Sequence, residues 1–215
     1  FEGEDEQQMS EAFRNSAFLA LSGGFQDAYT YNVRNEVFSN AQTGNVVLMS
    51  QHMMMGEWGR ALHYLFPVIA FALGVLVAEQ IGHKYKMAKK VHWRQIIVAI
   101  EFVILFAVGF IPSGYNMIAT MLVSFACSMQ VQAFRKVNGY GFASTMCIGN
   151  MRSAMESVCA YRITKSRKTL EKAVCYFGII LLFALGAGLG GYVLPAFGMR
   201  TIWFSCLLLL VSFSL

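Results

Sequence analysis

A series of long apolar stretches leaves this chain few folds to choose from. Ala61–Ile81 and Ala173–Leu194 each match the roughly 20 residues that carry an α-helix across a bilayer. Gln95–Ile111, Asn116–Met129 and Ile202–Leu215 are shorter stretches of the same kind, and Phe13–Val33 is a weaker one interrupted by glycines. Only 13% of the residues are charged, against 56% hydrophobic, which is about half the charge of an average soluble domain. The fold class expected is all-α, a polytopic helical membrane protein whose first partner is the lipid bilayer. The net charge of +5 does not argue for nucleic acid, because the basic residues sit beside apolar spans, where orientation signals belong.

Those charges predict a topology. Lys84, Lys86, Lys89, Lys90 and Arg94 form one basic loop, and Arg162, Lys165, Arg167, Lys168 and Lys172 form a second. Both are expected in the cytoplasm. Pro112–Tyr115 and Leu194–Met199 carry no charge and read as outer turns. Phe142–Tyr161 is too polar for a lipid-facing crossing, since a central Arg alone costs about 2.5–3.5 kcal/mol on insertion scales. If it enters and leaves on one side, the basic clusters that flank it stay together. The same reading applied to Val37–Met55 leaves Arg34, Arg60 and Arg200 outside. Thirteen of the 17 Lys and Arg then face the cytoplasm: Arg14, both clusters of five, Arg135 and Lys136. The count favours six crossings plus two re-entrant or broken helical segments. Location in the inner (cytoplasmic) membrane follows, with both termini cytoplasmic.

The two re-entrant segments look like copies of each other at an offset of 105 residues. Ala28, Ser39, Gly44 and Asn45 become Ala133, Ser144, Gly149 and Asn150, while Asp27 becomes Gln132 and Thr43 becomes Ile148. Three crossings per copy would turn the second upside down relative to the first. That is the 3+3 inverted plan of alternating-access transporters, with a site near the midplane. On this reading residues 1–12 are a polar N-terminal tail, 13–111 the first repeat and 112–215 the second, within one membrane domain. No signal-peptide pattern opens the chain.

The expected site lies where the two Gly-Asn pairs meet. A helix starting at Gly44 or Gly149 aims free N–H groups and a positive dipole end inward, which suits an anionic or polar neutral solute. Asp27, Thr43, Gly44, Asn45, Gly149 and Asn150 are the first lining residues, with Gln26, Gln42, Gln132 and Arg152 behind them. Asp27 is open to several roles: proton coupling, cation binding, or structural partner of a half-helix. Arg152 and Glu156, four apart, either line a polar cavity or neutralise each other. Glu101 sits among Ile and Phe and needs a partner that the sequence does not name.

No nucleophile–base pairing, Walker loop or H-E-x-x-H pattern is present, so no enzyme is expected. No cofactor or metal site is expected either, the five cysteines being scattered without a C-x-x-C pair. His52, in the Met-rich run Met49–Met55, is the one soft-metal alternative. Gly186 and Gly190 form a G-x-x-x-G that suits a homodimer face or close packing within the monomer equally.

Ser22-Gly23-Gly24-Phe25-Gln26-Asp27-Ala28, Phe38 and Thr43-Gly44-Asn45 together resemble the YoaK-like family of bacterial membrane proteins. The resemblance runs nearly end to end and implies six helices and a membrane location, with no substrate assigned. Ile148 in place of Thr43 departs from a symmetric role for that hydroxyl. The expectation is a transporter or channel for a small polar or anionic solute, taking a small molecule or ion as its substrate. The alternative is a non-transporting scaffold or sensor whose polar centre is structural.

Overall fold

The computed structural model describes residues 13–85 and 93–214. The polar tail, Lys86, Lys89, Lys90, His92 and Leu215 lie outside those residues. Eight α-helices account for most of the described chain: α1 (Phe13–Val33), α2 (Gln42–Met54), α3 (Trp58–Tyr85), α4 (Trp93–Val108), α5 (Asn116–Ala133), α6 (Cys147–Thr164), α7 (Arg167–Phe197) and α8 (Trp203–Ser214). Single 3₁₀ turns, Ser113–Tyr115 and Gly198–Ile202, join α4 to α5 and α7 to α8.

The helices pack in matching pairs. α1 lies along α7, and α3 lies along α5. The short helix α2 packs on α3, and α6 packs on α7. α8 rests on α1 as α4 rests on α5, and α4 meets α8. Apolar side chains from α1, α4, α5 and α8 fill the main core, including Leu19, Tyr29, Ile97, Leu105, Val123, Met129 and Leu209.

Much of the helical surface is apolar. Leu73, Leu76, Leu181, Leu185 and Leu189 of α3 and α7 are all exposed, far beyond what a water-facing domain of this size tolerates. Two helical stretches among the described residues, Trp58–Tyr85 and Arg167–Ser214, are long and apolar enough to cross a membrane. Together these describe a helical membrane protein.

Glycines act here differently from the expectation. α1 is unbroken through Gly23-Gly24, because these residues buy close approach and not a kink. A side-chain carbon on Gly24 would run into the Phe183 carbonyl of α7, and one on Gly186 into the Leu21 carbonyl of α1. Gly190 faces Ala28 in the same seam. The G-x-x-x-G of α7 is therefore occupied inside the monomer, by α1. Gly44 and Gly149 are likewise ordinary helical residues, outside the positive-φ set of Gly56, Gly139 and Gly198.

After α5 the chain turns back through a small antiparallel hairpin, Lys136–Val137 paired with Tyr140–Gly141. Asn138 and Gly139 form its turn with φ of 49° and 78°, the two left-handed residues of a type I′ turn. The Tyr176 hydroxyl donates to the Gly141 carbonyl at 2.6 Å, and the Phe13 N–H donates to Asn138 Oδ1 at 3.2 Å. These bonds hold the hairpin at the N-terminal end of α1.

Candidate functional site

Two loops lead into α2 and α6, and they reach the same point from opposite ends of α1. The first, residues 34–41, leaves the C-terminal end of α1 and folds back along it. Asp27 Oδ1 accepts from the Ser39 N–H (2.9 Å), the Ser39 hydroxyl (2.9 Å) and the Asn40 N–H (2.8 Å). Asn40 Nδ2 then donates to the Gly23 carbonyl at 3.1 Å. The second loop starts from the hairpin beside Phe13 and runs the other way, bringing Thr145 against Gly23. Gly23 is the midpoint of a helix about 30 Å long, so each loop travels about 15 Å along α1 before its helix begins. Any side chain at Gly23 would collide with Thr145, with Asn40 close by. Asn40 and Thr145 are related by the 105-residue offset.

The Gly-Asn pairs themselves serve as latches. Asn45, fourth in α2, donates from Nδ2 to the Phe38 carbonyl (2.7 Å) and accepts from the Phe38 N–H (3.1 Å). Asn150, fourth in α6, donates to the Ala143 carbonyl (2.7 Å) and accepts from the Ala143 N–H (3.3 Å). Phe38 and Ala143 are again 105 apart. An amide carries a donor and an acceptor side by side, so it caps both free groups of one residue in the returning strand. Gln42 joins the first latch, accepting from Asn45 Nδ2 at 2.9 Å and donating to the Ser39 carbonyl at 2.8 Å.

Behind Asp27 lies a second buried polar cluster, centred on the partner that Glu101 lacked in the sequence. Gln26 and Glu101 are both fully buried. Gln26 Nε2 donates to Glu101 Oε1 (3.1 Å) and to Ser22 Oγ (3.0 Å), and Gln26 Oε1 accepts from the Cys127 thiol. The Gln130 amide spans the distance between Glu101 and Ser144, 3.0 Å from each. Ser144 is the counterpart of Ser39, so Gln130 plays in the second half the part Asp27 plays in the first. Gln132, which the offset pairs with Asp27, instead hydrogen-bonds Glu79 at the α3–α5 surface beside Arg135. The register differs because α5 stops at Ala133 and the hairpin supplies the return.

Other expected lining residues are dispersed. Thr43, Gly149 and Arg152 are exposed, and Gly44 is half-buried against the Phe38 ring. Arg152 pairs with Glu156 at 2.8 Å on the outer face of α6, the neutralising outcome. His52 pairs with Glu57 at 2.6 Å. No cluster of three metal-ligating His, Cys, Asp or Glu side chains forms among the described residues.

Two cavities flank the meeting point. One, of about 720 Å³, opens at the C-terminal end of α1, with Tyr31, Glu36, Leu48, His52, His63 and Tyr64 in its wall. The other, of about 400 Å³, opens at the opposite end, with Gln132, Arg135, Met146, Gly149, Asn150 and Ser153 in its wall. It thus reunites three expected site residues. Leu48 and Ser153, one in each wall, are again 105 apart.

Arg34 carries a role that sequence reading assigned to orientation alone. It is fully buried at the end of α1. Its guanidinium donates to the Tyr29 hydroxyl (2.7 and 2.9 Å), Asn116 Oδ1 (2.9 Å) and the carbonyls of Val108 (3.1 Å), Ile111 (2.9 Å) and Pro112 (3.4 Å). It therefore caps the C-terminal end of α4, where the helix dipole favours a cation. Its bonds also pin the Pro112–Tyr115 turn to the end of the bundle from which the first loop descends.

Comparison with known proteins agrees with a membrane protein. The chain is similar to the UPF0700 transmembrane protein YoaK of Bacillus subtilis (strain 168), at 27% identity over 206 residues that cover 89% of each chain. No solved structure matches. Residues 16–215 match the family described as protein of unknown function (DUF1275). The match spans both loops, both latches and the Glu101 cluster, and this chain belongs to that family.

Proposed function

We propose that this protein is a transporter or channel of the cytoplasmic membrane for a small polar or anionic solute. In this reading α1, α3, α4, α5, α7 and α8 cross the bilayer, and each loop with its following half-helix re-enters from one side. The two halves are inverted copies, as in transporters that alternate access around a central site. The observation that carries the reading is the convergence of both loops on Gly23 from opposite ends, each backed by a cavity open at its own end. Repeated bonds of Asn45 and Asn150 support the inversion, because unrelated loops have no reason to use one device at one offset.

The chemistry of the centre narrows the solute. In the loop just before α2 Asp27 already takes the Ser39 and Asn40 N–H groups that an anion would meet there. An anionic group would instead be met at the start of α6, in the smaller cavity beside Arg135 and Gln132. Amides, hydroxyls and imidazoles make up much of the remaining lining, which suits a small polar molecule better than a lipid. One observation favours a purely structural centre: the loop backbone satisfies Asp27 internally.

Flux separates the two readings. Liposomes carrying the protein are expected to swell in small polar solutes faster than empty ones. Asn45→Ala and Asn150→Ala each strand a backbone N–H and C=O, lowering stability by about 2 kcal/mol. Each variant should stay folded in detergent and lose the flux. Swelling equal to that of empty liposomes across a panel of neutral, anionic and cationic solutes would favour the structural reading. Unchanged flux in both variants would remove the loops from the pathway.

A further inference from the structure

The Gln130 amide is set between two groups that ask different things of it. One of its ends lies 3.0 Å from Glu101 Oε1 and 3.2 Å from Oε2. The other lies 3.0 Å from Ser144 Oγ and 3.3 Å from the Leu19 carbonyl. With its NH₂ turned toward Ser144 and Leu19, the amide donates to both, and its oxygen faces the Glu101 carboxyl. Two acceptors then oppose each other unless Glu101 carries a proton and donates it. With the NH₂ turned toward Glu101, the amide donates to both oxygens of an ionised carboxylate, and its oxygen accepts from the Ser144 hydroxyl while giving up the bond to the Leu19 carbonyl. Each orientation satisfies one protonation state of Glu101 and leaves the other unsatisfied.

We propose that Glu101 is a reversible proton-binding site and that Gln130 converts its protonation into a change at Ser144, the root of the α6 segment. The proposal names the coupling ion of the transport reading and rests on that reading for the role. One proton from the aqueous phase adds to a carboxylate oxygen, the charge of Glu101 goes from −1 to 0, and no other covalent bond changes. The amide answers by a half-turn, so that Ser144 passes from donor toward Gln130 to acceptor from it. A side chain on α4 thereby acts on the loop that carries Thr145 to Gly23.

The surroundings suit a proton better than a metal ion. Glu101 and Gln130 are no more than 1% exposed. The titratable groups facing Glu101 are Cys127 of α5 and Cys206 of α8, with Asp27 of α1 beyond Cys127. Its other contacts are the uncharged amides of Gln26 and Gln130. Among the described residues no cation pairs with it, and α3 and the 198–202 turn bring no ionised partner to it. A buried carboxylate in that setting has protonation as its direct route to neutrality.

Infrared difference spectra of the full chain in liposomes, stepped from mildly alkaline to mildly acidic pH, test the proposal without any solute. A carboxylic-acid carbonyl band should grow on acidification, and a glutamine side-chain amide band should shift with it. Glu101→Gln should lose the Glu101 share of the acid band, leaving what Asp27 and the exposed carboxylates contribute, and should lose the amide shift coupled to it. Gln130→Met should keep the acid band and cut the amide shift to the share of Gln26, the other amide bonded to Glu101. If Glu101→Gln does not fold, isotope-labelled glutamine in the unaltered chain reports the same coupled shift. An acid band undiminished in Glu101→Gln, an amide shift undiminished in Gln130→Met, or no acid band at all would overturn the proposal. Coupled bands without any flux would instead count against transport and leave the proton site standing.

Discussion

Arg34→Met should lower the stability of the detergent-solubilised protein by about 3–5 kcal/mol, because several buried acceptors lose the one charged donor they share, at about 1–3 kcal/mol each. The substitution keeps much of the apolar volume and removes every donor. The carbonyls of Val108, Ile111 and Pro112, Asn116 Oδ1 and the Tyr29 hydroxyl then lose their common partner. Each buried acceptor left unpaired costs about 1–3 kcal/mol, while the Val108 and Pro112 carbonyls keep a backbone donor each, from Ile111 and Tyr115. Shared relaxation keeps the total below their sum. Arg34→Lys should recover less than half of the loss, because a compact ammonium cannot reach acceptors on both sides of the α4–α5 turn as a planar fork does. Thermal unfolding followed by circular dichroism measures both. A loss under about 1 kcal/mol for Arg34→Met would mean that water or rearrangement replaces the guanidinium, contrary to its burial.

Gly24→Val and Gly186→Val carry the second large effect, through the α1–α7 seam. At both positions the added carbon meets a backbone carbonyl on the facing helix, Phe183 from Gly24 and Leu21 from Gly186. Backbone cannot rotate out of the way, so the helices must separate. Overpacking of this kind costs about 3 kcal/mol, the upper end of its usual range. Separation also carries Gly23 and Asp27 away from the smaller cavity, so flux should fall further than stability alone explains. Gly188→Val, on the same helix with open space at its side-chain position, is the control and should change little. Equal behaviour of all three would contradict the packing role of the seam.

How much of this was legible in the sequence depended on the distance of each signal. Six helices were read from apolar length, and helices formed over all six stretches, with α3 and α7 extending past the apolar run at both ends. The offset of 105 exposed the latches before their purpose was visible: Asn45 and Asn150 were expected to face a solute, and each holds the loop behind it, Asn150 from the wall of the smaller cavity. Their partners are seven residues away, close enough for a repeat to betray but too specific for composition to do so. Glu101 was visibly in need of a partner, yet Gln26 is 75 residues away on another helix, and no local pattern links them. The exchange of Gln132 for Gln130 was hidden by the hairpin, although Asn138-Gly139 is a strong turn signal that would have warned of an early end to α5. Arg34 read as a loop charge because three of its five acceptors are main-chain carbonyls, which leave no trace in side-chain identity, and Asn116 lies 82 residues away.

The most direct test of the inverted arrangement is which side of a membrane reaches each cavity. In a variant with its native cysteines replaced, Leu48→Cys and Ser153→Cys place one thiol in the wall of each cavity. Sealed vesicles of known orientation are treated with a membrane-impermeant maleimide from one face at a time. The account predicts that Leu48→Cys is labelled only from the outer face and Ser153→Cys only from the cytoplasmic face. Labelling of both from the same face would contradict the inversion and with it the transport reading.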